Sequence, residues 1–181
     1  MIDIFGKLLP SRLRKKYYLW RRDVRRAIYA ERVRKTAATC GLELKVNAPA
    51  QVTPNTWLGN NVNFNGMTIQ GKGKVSIGNN FHSGMECLII TDIHNYDSGT
   101  AIPYDDTYIV RDVTIEDNVW LGTRVIILGG VTIGEGAIIQ AGSVVVSSIP
   151  KYAIAGGHPA RVFKNRDIEH YESLKQQRRF H

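Results

Sequence analysis

Ile115-Glu116-Asp117-Asn118-Val119-Trp120-Leu121-Gly122-Thr123-Arg124-Val125-Ile126 opens a run in which an aliphatic side chain returns every sixth residue. Ile115, Leu121, Ile127, Ile133, Ile139 and Val145 hold this register to Pro150, and Val119, Val125, Val131, Ala137, Ser143 and Ile149 form a second series four places later. Six is neither a helical period nor the alternation of a two-faced strand. It fits a short strand followed by a sharp turn, repeated so that each unit stacks on the one below. A weaker register precedes it at Val46, Val52, Leu58 and Phe64, breaks at Gly71-Lys72-Gly73-Lys74, and resumes at Ile77 and Ile89. The reading predicts an all-β parallel coil over residues 46–150, with one excursion at about 95–112. Stacked repeats expose backbone edges at their ends, so the flanking segments are the natural covers.

The 181 residues suffice for one domain with a real core. Charge is concentrated at one end: residues 1–36 hold twelve Lys/Arg against three acidic residues, and the rest of the chain is nearly neutral within a net charge of +8. Two cysteines, Cys40 and Cys87, are too few for a disulfide framework, and Cys87 reads as a small buried filler. No apolar run reaches the roughly 18 residues needed to span a bilayer. Met1-Ile2-Asp3-Ile4-Phe5-Gly6-Lys7 lacks the apolar region of a signal peptide. The expectation is a cytoplasmic, reduced protein. Its domains are a basic helical arm and cap at 1–45, the coil domain at 46–166 and a short tail at 167–181.

Residues 12–35 contain no Gly or Pro and read as a helix bounded by Pro10-Ser11 and Gly41. Leu13, Tyr17, Trp20, Val24 and Ala27/Ile28 share one stripe, with Arg12, Arg14, Lys15, Arg21, Arg22, Arg25 and Arg26 around it. Such a stripe suits a cap over the end of the coil. It equally suits an interfacial helix on anionic lipid, at the inner membrane face. Arg-rich helices also bind phosphate backbones, but no nucleic-acid motif accompanies this one, and no nucleic-acid partner is expected.

The non-repeating stretch Thr91-Asp92-Ile93-His94-Asn95-Tyr96-Asp97 is where a rigid scaffold would carry function. His94 stands at its root and has the chemistry to take a proton from a hydroxyl and return one to a leaving group. Asp92, Asn95 and Asp97 are candidates for orienting it or meeting substrate, or for ordinary turn roles. His82, about two hexapeptides earlier, is the second histidine of interest.

From about residue 75 to 166 the chain resembles the acetyl-coenzyme A dependent O-acetyltransferases of the hexapeptide superfamily. The closest branches are the galactoside and maltose acetyltransferases and the polysaccharide, capsule or lipopolysaccharide O-acetyltransferases. The resemblance rests on His94-Asn95-Tyr96-Asp97, Ile102-Pro103-Tyr104-Asp105, Val119-Trp120-Leu121-Gly122, Ala141-Gly142-Ser143, and Gly157-His158-Pro159-Ala160-Arg161. It implies a left-handed β-helix, whose hand periodicity alone leaves open and which runs against the usual right-handed crossover. It further implies a homotrimer with active sites between subunits and acetyl-coenzyme A as co-substrate.

Position by position, it makes His94 the general base for direct attack of a sugar or glycan-precursor hydroxyl on the thioester. It gives the backbone of Thr123 the oxyanion, with Trp120, Gly122, Thr123, Ala141 and Gly142 along the coenzyme and Arg161 and Lys164 near its 3′-phosphate. The chain departs from the family at Val146-Ser147, where sugar acetyltransferases often have Thr-Lys, and in its basic N-terminal arm. An amine acceptor, on an amino sugar or antibiotic, shares most of these motifs and stays open. A non-catalytic coil is a further alternative. A zinc enzyme of the γ-carbonic-anhydrase type is disfavoured, because His82, His94 and His158 lack that family's paired spacing, and no metal is expected.

Overall fold

The sixfold register becomes three columns of parallel strands in a computed structural model, which describes residues 10–181. The reading of Met1–Lys7 lies outside the described residues. In the first column β1 (Thr39–Cys40), β3 (Thr56–Leu58), β5 (Val75–Ile77), β9 (Val113–Ile115) and β12 (Thr132–Ile133) stack in that order. The second column joins the starts of β2 (Lys45–Ala48), β4 (Asn63–Gln70) and β6 (His82–Ile90) to β10 (Trp120–Leu121), β13 (Ile138–Ile139) and β15 (Ala153–Gly157). The ends of β4 and β6 continue into the third column with β11 (Ile126–Leu128) and β14 (Val144–Val145). The coil thus begins at Thr39, a few residues before the sequence register becomes visible.

Both hexapeptide series point inward. Ile115, Leu121, Ile127, Ile133, Ile139 and Val145 are all buried, as are Val119, Val125, Val131, Ala137, Ser143 and Ile149. Each fully buried aliphatic is worth about 1.5–3 kcal/mol relative to exposure, so the stack is its own core. The turns between columns one and two need left-handed backbone, which Asn tolerates better than most residues. Asn61, Asn80 and Asn118 take φ of 53°, 54° and 61°, and their side chains hydrogen-bond up the stack at 3.0 and 2.9 Å.

The excursion leaves after Thr91 as an antiparallel hairpin of β7 (Asp92–His94) and β8 (Tyr108–Val110). It closes at its root, where the Arg111 N–H donates to the Thr91 carbonyl at 2.8 Å. Within it the Asp105 carboxyl accepts from Thr107 and Thr100, which hold its pKa down to about 2.

The N-terminal helix α1 spans Ser11–Thr36, one residue beyond the sequence expectation at each end. It meets the coil through Ala30 and Val33 near its C-terminal end, and not through the expected stripe. Leu13, Trp20, Val24 and Ile28 are exposed. No helix among the described residues is long and apolar enough to cross a membrane.

At the other end β16 (Ala160–Asn165) pairs antiparallel with β15 and caps the second column. The segment expected as a plain tail then forms helix α2 (Ile168–Gln176), started by the Asp167 carboxylate accepting from the His170 N–H at 3.0 Å. It clasps the coil through Glu135, which accepts from Tyr171 at 3.0 Å and from Lys175, while Asn118 donates to the Tyr171 hydroxyl at 2.8 Å.

Candidate active site

Two turns flank the third column, and the sequence candidates divide between them. The turn from column two to column three carries Gly84, then Gly122-Thr123, then Ala141-Gly142, stacked in successive coils. The stacking is close: a Cβ at Gly84 would lie 2.4 Å from the Thr123 nitrogen, and one at Gly122 would lie 2.4 Å from the Ala141 nitrogen. Only glycine lets these backbones approach so nearly. The Gly142 N–H donates to the Thr123 carbonyl at 2.8 Å. The N–H groups of Thr123 and Ala141 themselves donate to no acceptor among the described residues. This turn is therefore a narrow line of small residues with two backbone donors to spare.

Around that line, Trp120 is 53% exposed on column two, between His82 and Ile138. Arg161 lies opposite Gly156 in the β15–β16 ladder, and the neighbouring Gly157 N–H donates to the Ser143 hydroxyl at 3.2 Å. Arg161 therefore sits at the C-terminal end of the same line. Lys164 lies further back, opposite Ile154.

His94 belongs to the other turn, from column three back to column one. Its ring stacks on Tyr104 with centroids 3.7 Å apart and packs against Tyr108 at 4.4 Å. Lys72 sits over the far ring system, 4.6 Å from the Tyr108 centroid. Aromatic stacking, not a carboxylate, fixes this imidazole, and its Nδ1 is buried with no hydrogen-bond partner. Two of the three candidate orienting residues are engaged elsewhere. Asp92 accepts from the Lys72 N–H at 3.0 Å. Asn95 accepts from the Ser98 N–H at 3.1 Å and donates to the Thr107 hydroxyl at 3.1 Å. Asp97 is exposed, with no side-chain hydrogen bond among the described residues.

His82 is not beside His94. It lies between Asn63 and Trp120 in column two, with its ring 5.3 Å from that of His181. Burial and the neighbouring His181 push its pKa down. Among the described residues no group of three His, Cys, Asp or Glu side chains converges as a metal cage.

Sequence reasoning missed the surface between the two turns. Column three alternates inward Ile89, Ile127 and Val145 with outward Leu88, Ile90, Ile126, Leu128, Val144 and Val146. The outward set forms an aliphatic ladder on the face of the coil. The signal was present in the sequence, because in β6, β11 and β14, unlike the first column, both alternating positions are apolar, whereas β4 below them turns Thr68 and Gln70 outward. Tyr104 and Tyr108 were also missed as partners of His94, since only the closed hairpin brings them onto it.

Residues 112–147 match the family of bacterial transferase hexapeptides, six repeats. The chain carries the hexapeptide repeat. A putative acetyltransferase of Schizosaccharomyces pombe is 38% identical over 98 residues, covering 52% of this chain and 45% of the relative. The chain spans less than half the length of such curated relatives. A galactoside acetyltransferase solved in complex with coenzyme A superposes with a TM-score of 0.67 at 28% identity, covering 92% of this chain and 78% of that one. A hexapeptide-repeat acetyltransferase of Vibrio cholerae, complexed with acetyl coenzyme A, gives 0.62 at 27% identity over 73% of each chain. The hexapeptide coil is thus similar to those of acetyltransferases.

Proposed function

We propose that the chain is an acetyltransferase that moves an acetyl group from acetyl-coenzyme A to a hydroxyl of a sugar or glycan precursor. The observation that carries the reading is the pairing of two unlike turns across one apolar face. One offers a line of small residues and spare N–H groups, the other a histidine, and the aliphatic ladder between them needs a partner. Three copies packed through the ladder bring the His94 turn of one subunit against the Thr123–Ala141 turn of the next. Each active site then draws on two subunits.

In that site the pantetheine arm lies along Gly122, Thr123, Ala141 and Gly142 against Trp120, and the 3′-phosphate meets Arg161, with Lys164 behind. The His94 imidazole removes the acceptor hydroxyl proton as the oxygen attacks the thioester carbon. The Thr123 N–H stabilises the oxyanion, a contribution of about 3 kcal/mol for a preorganised donor. The carbon–sulfur bond then breaks, and the proton on His94 passes to the departing thiolate. Direct transfer fits the alternatives in this chain. Cys87 and Ser83 are buried, and burial pushes the Cys87 thiol up, so neither is an activated nucleophile.

The test is thiol release from acetyl-coenzyme A over a panel of sugars, amino sugars and lipid-linked glycans. Hydroxyl-dependent turnover sustains the reading. Turnover restricted to amines moves it to N-acetylation. Coenzyme A failing to bind removes it.

A further inference from the structure

Along the basic helix α1, Leu13, Trp20, Val24 and Ile28 are exposed and outside the core formed by the described residues. At about 100° per residue, Val33 lies about 180° around the helix from Val24. The face that docks, Ala30 with Val33, is therefore centred about 150° around the helix from the middle of the stripe formed by Leu13, Trp20, Val24 and Ile28. Docking fixes the helix and turns the stripe outward. Trp20 is 61% exposed and Leu13 52%.

Charge decides what covers this face. Between Ser11 and Ile28 there are eight basic residues and one acidic, Asp23, which already pairs with Arg22 at 2.9 Å and Arg26 at 3.9 Å. By the same wheel Lys16 and Arg12 lie beyond one edge of the stripe, and Arg21, Arg14 and Arg25 beyond the other. A second copy of this helix would set two such cationic segments together as the stripe buried, and apposed like charges cost several kcal/mol. A phosphate backbone would satisfy the charge and leave Leu13, Trp20, Val24 and Ile28 in water. An anionic bilayer satisfies both: acyl chains take the stripe, Trp20 sits at headgroup level, and the bordering cations reach lipid phosphates.

We propose that residues 11–28 lie on anionic membranes, with the Leu13–Trp20–Val24–Ile28 stripe inserted at the headgroup boundary. The helix lies on the bilayer, since it is not long and apolar enough to cross it. This rests on the helix alone and stands or falls independently of acetyl transfer.

The experiment is co-sedimentation of the full chain with vesicles of phosphatidylcholine, with and without about one quarter phosphatidylglycerol. Two variants accompany wild type: Leu13→Ser/Trp20→Ser on the stripe and Lys16→Glu/Arg25→Glu on its borders. Wild type is expected to pellet with the phosphatidylglycerol vesicles and to be released by salt, and each variant to lose binding about tenfold. Because the stripe packs against no core, unchanged melting temperature in both variants accompanies that result. Four results overturn the proposal: no pelleting of wild type, equal pelleting with neutral vesicles, a stripe variant that binds like wild type, or a stripe variant whose mass by light scattering drops to a smaller oligomer. The third reduces the helix to a polycation, as for nucleic acid. The last assigns the stripe to a second copy of the chain.

Discussion

The two turns that border the aliphatic face are made by the same coil and solve different problems. At the Thr123–Ala141 turn the repeat runs through unbroken, and glycine allows backbone to lie on backbone. At the His94 turn the chain abandons the repeat for a hairpin held by Tyr104 and Tyr108. Repetition provides a straight line suited to an extended ligand. Interruption provides a single titratable group in a fixed pose. The two lie on opposite edges of one face, and in the proposed trimer assembly would bring them together.

The largest break in that pairing comes from the face itself. Ile126→Glu with Leu128→Glu places charges on the ladder while leaving inward Ile127 in place. Light scattering should then report a monomer with an unchanged strand signal, and turnover should fall by about a thousandfold or more, as positioning between subunits is lost. A trimer that survives this change refutes the ladder as the contact.

Removing only the histidine is the next step down. His94→Ala is expected to lower kcat/KM about a hundredfold, with coenzyme A affinity intact by calorimetry. Ala141→Phe should do the reverse and abolish coenzyme binding. Refolded together, the two impaired chains should regain activity, since mixed trimers contain interfaces with one sound turn from each. Absence of rescue would put both turns back in a single subunit.

Tyr104→Leu sharpens the comparison instead of breaking it. With the stacked ring gone and the base still present, kcat should drop about tenfold or less with KM little changed. The smallest effect belongs to a region outside both turns. Burial raises the Glu135 carboxyl, but the hydrogen bonds from Lys175 and Tyr171 outweigh it, so its pKa is held below the ordinary value. A depressed carboxyl stabilises the fold above its unfolded value of 4.5 and loses that contribution as pH falls through its lower folded value. The Tyr171 amide resonance should therefore shift as helix α2 detaches in acid below 4.5. Glu135→Gln should detach it more readily at neutral pH, with turnover unaltered.

The coil was legible because a period of six is a local property: every predicted inward residue from Ile115 to Ile149 is buried. The extent of helix α1 was legible for the same reason. What it packs against was not, since the choice between a stripe at Val24 and a patch at Val33 depends on the angle at which Thr36 hands the chain to the coil. Asp92 shows the same limit. Its partner is the Lys72 N–H, twenty residues earlier and one coil below, so no local pattern told a turn residue from a helper of His94. The helix at Ile168–Gln176 did leave a trace in its Asp167 cap, overshadowed by the charged tail around it.

One detail of the hairpin concerns the scaffold that carries it. The excursion closes at its base, Arg111 to Thr91, and a Cβ at Gly129 in the next coil would lie 2.9 Å from the Arg111 carbonyl oxygen. The coil therefore resumes at the point where it stopped, and its register does not record how many residues were spent outside. A scaffold with that property treats the hairpin as an exchangeable cassette. Lengthening or replacing what lies between Asn95 and Thr107 changes what surrounds the histidine, while the line of small residues on the opposite edge keeps its geometry.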